Sequence, residues 1–394
     1  MKGHVEKRYK SSWTIVIEED KHGSGRRRTT KSVRGTKKQA ERIMYEMMAQ
    51  IQSGTYVEPS KLSLGEYLNE WFKSHGPNLA PSTHDSYRMI LDRHLIPNLG
   101  DIPLSQLEPM RIQTYYGKAL EGLSARTVRY HHTVLREALK QAVKWRMIIS
   151  NPADATSPPR PRRPEVRALS PKELGKLLVS TKENAYYPLI YTAAFTGLRR
   201  GELLALKWSN VDLSKRTLAV RESVIRLHGE FVFKETKTKK GQRQVLLPQR
   251  VIPILRNQRK ACLQRRLSAG ISYREQNLVF SSESGNPLDP TEVSHQFARI
   301  AKEAGFDGLR FHDLRHTHAT LLLTQGCHPK VVQERLGHEN ISTTLDTYSH
   351  VLPSLQKSAA DGLDRLLLNL GNDWATVDDS KPPGDTPATS GNPC

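Results

Sequence analysis

Cysteine is nearly missing from this chain: Cys262, Cys327 and Cys394 are the only three among 394 residues, far apart and odd in number. They cannot staple a disulfide scaffold, and with no Cys-x-x-Cys pair they offer neither a zinc site nor dithiol redox chemistry. Long apolar runs are also missing. No window of about 18 apolar residues occurs, and the opening MKGHVEKRYKSSW has charges with no apolar stretch behind them. Neither a membrane span nor a secretory leader is therefore expected. These absences predict a soluble, cytoplasmic protein without a membrane partner. No internal repeat is visible, and no carboxylate cluster stands ready to hold Mg²⁺.

Acidic residues are in deficit. Lys plus Arg number 60 against 40 for Asp plus Glu, a net charge of +20, and such an excess points to a polyanionic partner, most often nucleic acid. Residues 1 to 61 carry 14 basic and 7 acidic side chains, whereas residues 371 to 394 hold one Lys and four Asp. The positive charge thus sits on the patterned parts of the chain and not in a basic tail, which favours shaped DNA-binding surfaces.

Periodicity divides the chain into five parts. Residues 1–60 read as a ββ(β)α module: Trp13, Ile15 and Ile17 alternate, HGSG turns, RRRTTKSV returns, and a Thr36/Gln39 capping box opens a helix. Arg26, Arg27 and Arg28 on the hairpin, with Lys37 and Lys38 at the helix start, make a candidate DNA-reading face; a solvated charged hairpin is the plainer alternative. Residues 61–150 read as a four-helix domain whose last helix, capped by Ser124, carries Arg126 and Arg129 as candidate DNA contacts. Five prolines and four arginines fill the linker 151–169. Residues 170–370 predict a mainly helical domain around one three-stranded antiparallel sheet drawn from RTLAVRESVIRL, EFVFKETKT and RQVLLP. Residues 371–394 predict a disordered tail. The expected fold class is multidomain and mainly α with small β-sheets.

Unusual polar residues concentrate in four segments: TGLRRGELLALKW (196–208), ETKTKKGQRQVLLP (235–248), FHDLRHTHATLLL (311–323) and ERLGHENISTTLDTYSHV (334–351). Arg199 lies beside the apolar Leu203, Leu204 and Leu206, where a guanidinium must be paired or used, and Glu202 three residues on is an available partner. His312 and Arg315 are three apart and share a helical face near a helix start, which suits an anion. His312 and His316 have zinc-ligand spacing, but the glutamate of His-Glu-x-x-His is missing and Arg315 would repel a cation, so no metal is expected. His338 follows Gly337, which ends a helix begun at Pro329. Alone, Tyr348 reads as a core aromatic; the order of the whole set changes that.

Arg199 in TGLRRGEL, Lys237 in TKTKKGQRQVLLP, His312-x-x-Arg315, Leu-Gly-His338 and Tyr348 in DTYSHV resemble the motifs of the tyrosine recombinase, or phage integrase, family. The resemblance spans about 150 residues in family order, and the two N-terminal modules resemble the arm-binding and core-binding domains of phage and conjugative-transposon integrases. It implies a site-specific DNA recombinase that needs no metal, cofactor or ATP. Tyr348 would be the nucleophile forming a 3′-phosphotyrosine. Arg199, Arg315, His312 and His338 would bind the scissile phosphate, and Lys237 would protonate the leaving 5′-oxygen; His312 is also a candidate base for the tyrosine proton. Arg243, in the lysine-rich hairpin, is a further candidate DNA contact. The implied partners are double-stranded core and arm sites, a homotetramer on DNA, an excision factor and a host DNA-bending protein. The helix after Tyr348, with Leu355, Ala359, Leu363, Leu366, Leu367 and Leu370, either docks on a neighbouring subunit or packs on its own core. A type IB topoisomerase-like nicking-closing enzyme and a non-catalytic DNA-binding regulator are the alternatives. The two-module N-terminal half disfavours the first, and the complete active-site set disfavours the second.

Overall fold

The computed structural model describes residues 1–21, 25–53, 56, 62–162, 167–235, 241–342, 345 and 360–364. Its contacts divide the chain into two units, Met1–Arg163 and Pro164–Cys394.

The first unit opens with an antiparallel meander, β1 (Lys2–Tyr9), β2 (Ser12–Lys21) and β3 (Gly25–Arg34). The optional third strand of the expected ββ(β)α module is therefore present, and it is the N-terminal one. Ile15 and Ile17 of β2 are fully buried against Met44 and Met47 of α1 (Lys37–Gln52). Thr36 and Gln39 close the predicted capping box, which satisfies two N–H groups that a helix start leaves without partners.

Four helical stretches follow. They are α2 (Leu64–His75); α3 (Pro81–Ile90), which runs through one π-turn (Leu91–Leu95) into α4 (Ile96–Leu99); α5 (Pro109–Leu120); and α6 (Ala125–Lys144). Tyr67, Trp71 and Tyr116 are among its largest buried side chains, and the Tyr67 hydroxyl donates to the Ala138 carbonyl at 2.6 Å, so burying the ring strands no polar group.

The second unit contains α7 (Pro171–Ser180), α8 (Tyr187–Thr196), α9 (Arg200–Leu204), β4 (Val211–Asp212), β5 (Thr217–Val220), β6 (Glu222–Leu227), β7 (Glu230–Glu235), β8 (Arg243–Leu246), α10 (Val251–Ala269), α11 (Pro290–Glu303), α12 (Asp313–Thr324) and α13 (Pro329–Leu336). The single three-stranded sheet expected here is instead two. RTLAVRESVIRL breaks at Arg221: among the described residues β5 pairs with β4 and β8, while β6 pairs only with β7. Close packing against α9 accompanies the change of partner, because a Cβ on Gly201 would lie 2.4 Å from the Ser223 hydroxyl on β6.

Helix α8 is apolar almost all round and mostly buried, as such a helix must be. Leu203 and Leu204 of α9 are fully buried beside it, each contributing about 2 kcal/mol by removal from water. A separate small core of Ala319, Leu323, Val332 and Leu336 holds α12 to α13. The proline linker ends in contact: the Leu169 N–H donates to Thr317 Oγ1 at 3.0 Å.

Candidate active site

Two helix ends carry the site. Helix α8 stops at Gly197 and α13 at Gly337, both in the left-handed region with φ of 67°, a conformation that favours glycine. The stop at Gly337 is where the sequence predicted it. Space also demands glycine at both positions, since a Cβ on Gly197 would lie 2.6 Å from the His318 ring and one on Gly337 would lie 2.8 Å from Arg243 Nη1.

Arg315, only 3% exposed, lies between these ends. Its Nη1 donates to the Gly197 carbonyl and its Nη2 to the Leu336 carbonyl, both at 2.7 Å. Arg199, at the start of α9, donates from Nη2 to the Gly337 carbonyl at 3.1 Å and from Nη1 to Glu202 Oε1 at 2.8 Å. Of the alternatives the sequence left for Arg199, the pairing is present: Glu202 steadies the guanidinium while 42% of the side chain remains exposed.

Glu202 is buried. Burial pushes its carboxyl up, but the hydrogen bond and charge of Arg243, followed by Arg199, outweigh this and bring it down to about 2. Arg243 grips both carboxylate oxygens, Nη2 to Oε2 at 2.8 Å and Nη1 to Oε1 at 3.2 Å, and its Nε donates to the Arg335 carbonyl at 2.7 Å. The expected DNA contact at Arg243 is therefore turned inward, its side chain only 6% exposed. Its parity on β8 explains this, because it alternates with Gln244 on the same side as buried Val245.

His338 follows Gly337 directly. Burial, then the charges of Arg315, Arg199 and Arg243, lower it to about 3. His312, at the start of α12, is open to solvent on one side and walled by protein on the other. Desolvation, then His316 and Arg315, lower it to about 4. Both rings are neutral at pH 7. The His312 and His316 rings stand 4.8 Å apart and nearly perpendicular, and among the described residues no group of three or more His, Cys, Asp or Glu comes together. Arg199, His312, Arg315 and His338 thus converge on one cluster, whereas Lys237 and Tyr348 lie outside the described residues.

Exposed Arg126 and Arg129 share the first turns of α6 with Thr127, Tyr130 and Thr133, lining a shallow cleft. Arg28, Lys37 and Lys38 are exposed, with Lys37 3.7 Å from Glu41. Arg26 and Arg27 are described by backbone register only; Arg26, Arg27 and Arg28 stand opposite Asp20, Glu19 and Glu18 on β2, an acidic run that the hairpin reading did not weigh. Glu202 and Arg243 were visible in the sequence without their joint role, and His318 and Arg335 were missed. No described helix is long and apolar enough to cross a membrane.

A mainly helical unit with small antiparallel sheets, gathering arginines from separate segments into one cluster, has the fold of solved integrases of the tyrosine recombinase type. Residues 167–354 match the phage integrase family and residues 63–120 the N-terminal SAM-like domain of phage integrases. A tyrosine recombinase XerC-like protein of Caldanaerobacter subterraneus is 31% identical over 355 residues, covering 84% of this chain and 90% of that protein. The ICEBs1 integrase of Bacillus subtilis is 27% identical, covering 87% and 94%. In fold, the chain is similar to the Tn1549 transposon integrase in complex with a circular intermediate DNA (TM-score 0.66, 22% identity, 77% of this chain and 99% of that one). It is also similar to a lambda integrase dimer bound to a COC′ core site (TM-score 0.56, 18% identity, 87% and 94%). The chain belongs to the phage integrase family and is a tyrosine-type site-specific DNA recombinase.

Proposed function

We propose that this recombinase integrates and excises a mobile element, with Arg199, Arg315, His312 and His338 holding the scissile phosphate. Attack on a phosphodiester builds a pentacoordinate group with two negative charges on its non-bridging oxygens, and guanidiniums fixed in advance stabilise that charge without reorganising. Tyr348 Oη attacks phosphorus, the bond to the 5′-oxygen breaks, and Lys237 protonates the departing oxygen. The neutral His312 takes the phenol proton, a transfer favoured as the developing dianion raises the pKa of the ring. Neutral His338 donates a hydrogen bond. A phosphotyrosine keeps the energy of the bond it replaced, so the 5′-hydroxyl of another strand can reverse the step with no ATP.

The convergence of Arg199, Arg315 and His338 on the ends of α8 and α13, with His312 at the start of the helix that carries Arg315, carries this reading. Around it we assign residues 1–60 to arm DNA, 61–150 to core DNA through Arg126 and Arg129, 151–169 to a linker, 170–370 to catalysis and 371–394 to a tail. Four copies assemble on two duplexes in the cytoplasm, with an excision factor and a host DNA-bending protein as helpers. The C-terminal helical pattern, all but residues 360–364 of which lies outside the described residues, is assigned to subunit docking. Incubation with DNA from the junctions of the element that carries the gene tests the reading. Recombinant junctions should form without added nucleotide, and nicking and closing with no exchange would refute it.

A further inference from the structure

Three arginines end on three consecutive carbonyls of α13: Arg243 Nε on Arg335, Arg315 Nη2 on Leu336 and Arg199 Nη2 on Gly337. A helix leaves its last carbonyls without internal partners and concentrates negative partial charge there. This carbonyl edge is the template that orients the guanidiniums, so whatever fixes the edge fixes them.

The side chain of Arg335 takes partners other than those of its carbonyl. Its Nε donates to His318 Nε2 at 2.9 Å and its Nη2 to the Phe195 carbonyl at 3.1 Å. A guanidinium can only donate, so His318 Nε2 accepts and the ring proton sits on Nδ1, which donates to the Ala194 carbonyl at 3.0 Å. Ala194 and Phe195 form the last turn of α8, just before the Gly197 carbonyl that takes Arg315. Burial first, then the charge of Arg335, lower His318 to about 3, so it remains a neutral acceptor.

We infer that Arg335 and His318 are positioning residues for strand transfer, a clasp of one guanidinium and one neutral imidazole that sets the spacing between the end of α8 and the end of α13 and thereby aims Arg199, Arg243 and Arg315. Neither residue is among the six motif positions. The apolar contacts of Ala319, Leu323, Val332 and Leu336 already hold α12 to α13, so the clasp controls register more than attachment. The inference rests on the reading that Arg199 and Arg315 hold the scissile phosphate.

The test uses full-length protein and a nicked duplex carrying the crossover site mapped with the wild type, with either a native phosphate or a methylphosphonate at the scissile position. The methyl group replaces a non-bridging oxygen and removes one of the charges the guanidiniums neutralise. On the native phosphate, R335M and H318F should slow single-turnover adduct formation at saturating DNA at least about tenfold, because small misplacements of oriented groups are costly. Their DNA Kd should stay within about threefold of wild type. On the methylphosphonate the gap to wild type should shrink to less than about threefold, as it should for R315M run in parallel. An unchanged rate in both variants, or an equal fold-loss on the two substrates while R315M is relieved, overturns the inference and leaves the reading of the site intact. A loss in R315M that the methylphosphonate does not relieve overturns both. Should R335M fail to fold, R335K keeps charge and stem but cannot bond His318 and the Phe195 carbonyl together, and it carries the same comparison.

Discussion

Replacing Glu202 by Gln removes one charge and almost no volume. The carboxylate, 4% exposed, receives two bonds from Arg243 and one from the Arg199 guanidinium, and it also accepts the Arg199 backbone N–H at 2.9 Å. An amide offers one acceptor oxygen and turns its NH₂ donor toward guanidinium donors. Arg243 is then a buried cation with no counter-charge, a situation that costs about 3 to 5 kcal/mol when one partner of a buried pair is deleted. The partly exposed Arg199 adds at most about 1 kcal/mol. At about 2 to 4 °C per kcal/mol for a unit of this size, E202Q should lower the catalytic-unit melting temperature by roughly 10 °C. The assay is a thermal melt of the full chain, with E202Q/R243Q as the control. Removing both partners leaves no stranded charge, so the double variant should recover much of the loss. Because the folded carboxyl lies near 2 and the ordinary value is 4.5, its stabilisation is present above 4.5 and is lost as pH falls toward 2. The gap between wild type and E202Q should narrow over that window. A melting temperature within about 2 °C of wild type, or a double variant less stable than E202Q, would refute the reasoning.

Buried His131, which contacts the Tyr115 hydroxyl at 2.8 Å, is lowered to about 4 by burial and then by His94. Its folded pKa lies below its unfolded one, so neutral His131 stabilises the first unit above pH 6.5. Roughly 3 kcal/mol should be lost between 6.5 and 4, and a wild-type melt that His131→Phe leaves just as pH-dependent would contradict this. Gly337→Ala forces a left-handed alanine, costing about 1 to 2 kcal/mol, and drives a Cβ against Arg243; adduct formation should slow about tenfold, and an unchanged single-turnover rate would argue against the carbonyl template. Deleting residues 1 to 60 should spare cleavage of a short core duplex but cripple integration into long attachment-site DNA and reduce the salt dependence of binding. Footprinting checks this: a truncated protein that protects the same DNA and recombines equally well would remove the arm-reading role.

Local signals in the sequence transferred well to the structure. The Thr36/Gln39 capping box, the Ser124 cap and the Gly337 stop are present because their physics lies within a few residues. Long-range choices did not transfer. Nothing local announces that a strand-like run changes partner at Arg221, where close packing of α9 on β6 accompanies the switch. Arg243 looked like one more cation in a basic hairpin, although its parity with Val245 was a usable sign that it faces inward. His318 and Arg335 meet across 17 positions and two helices, a pairing that periodicity cannot express. The motif order was legible because each member has its own short pattern, and the described ones, Arg199, His312, Arg315 and His338, sit at helix ends. Which carbonyl each arginine takes became visible only in three dimensions.

The most direct test of the central claim is covalent capture by Tyr348. Wild-type protein and Tyr348→Phe are incubated, in excess EDTA, with a nicked duplex that traps the cleaved strand, and denaturing gels count protein–DNA adducts. The substitution removes one oxygen and should abolish the adduct while DNA affinity stays near wild type; wild-type adducts should persist in EDTA, because arginines neutralise the phosphate charge. A denaturant-resistant adduct from Tyr348→Phe, or wild-type cleavage that EDTA abolishes and Mg²⁺ restores, would contradict the account.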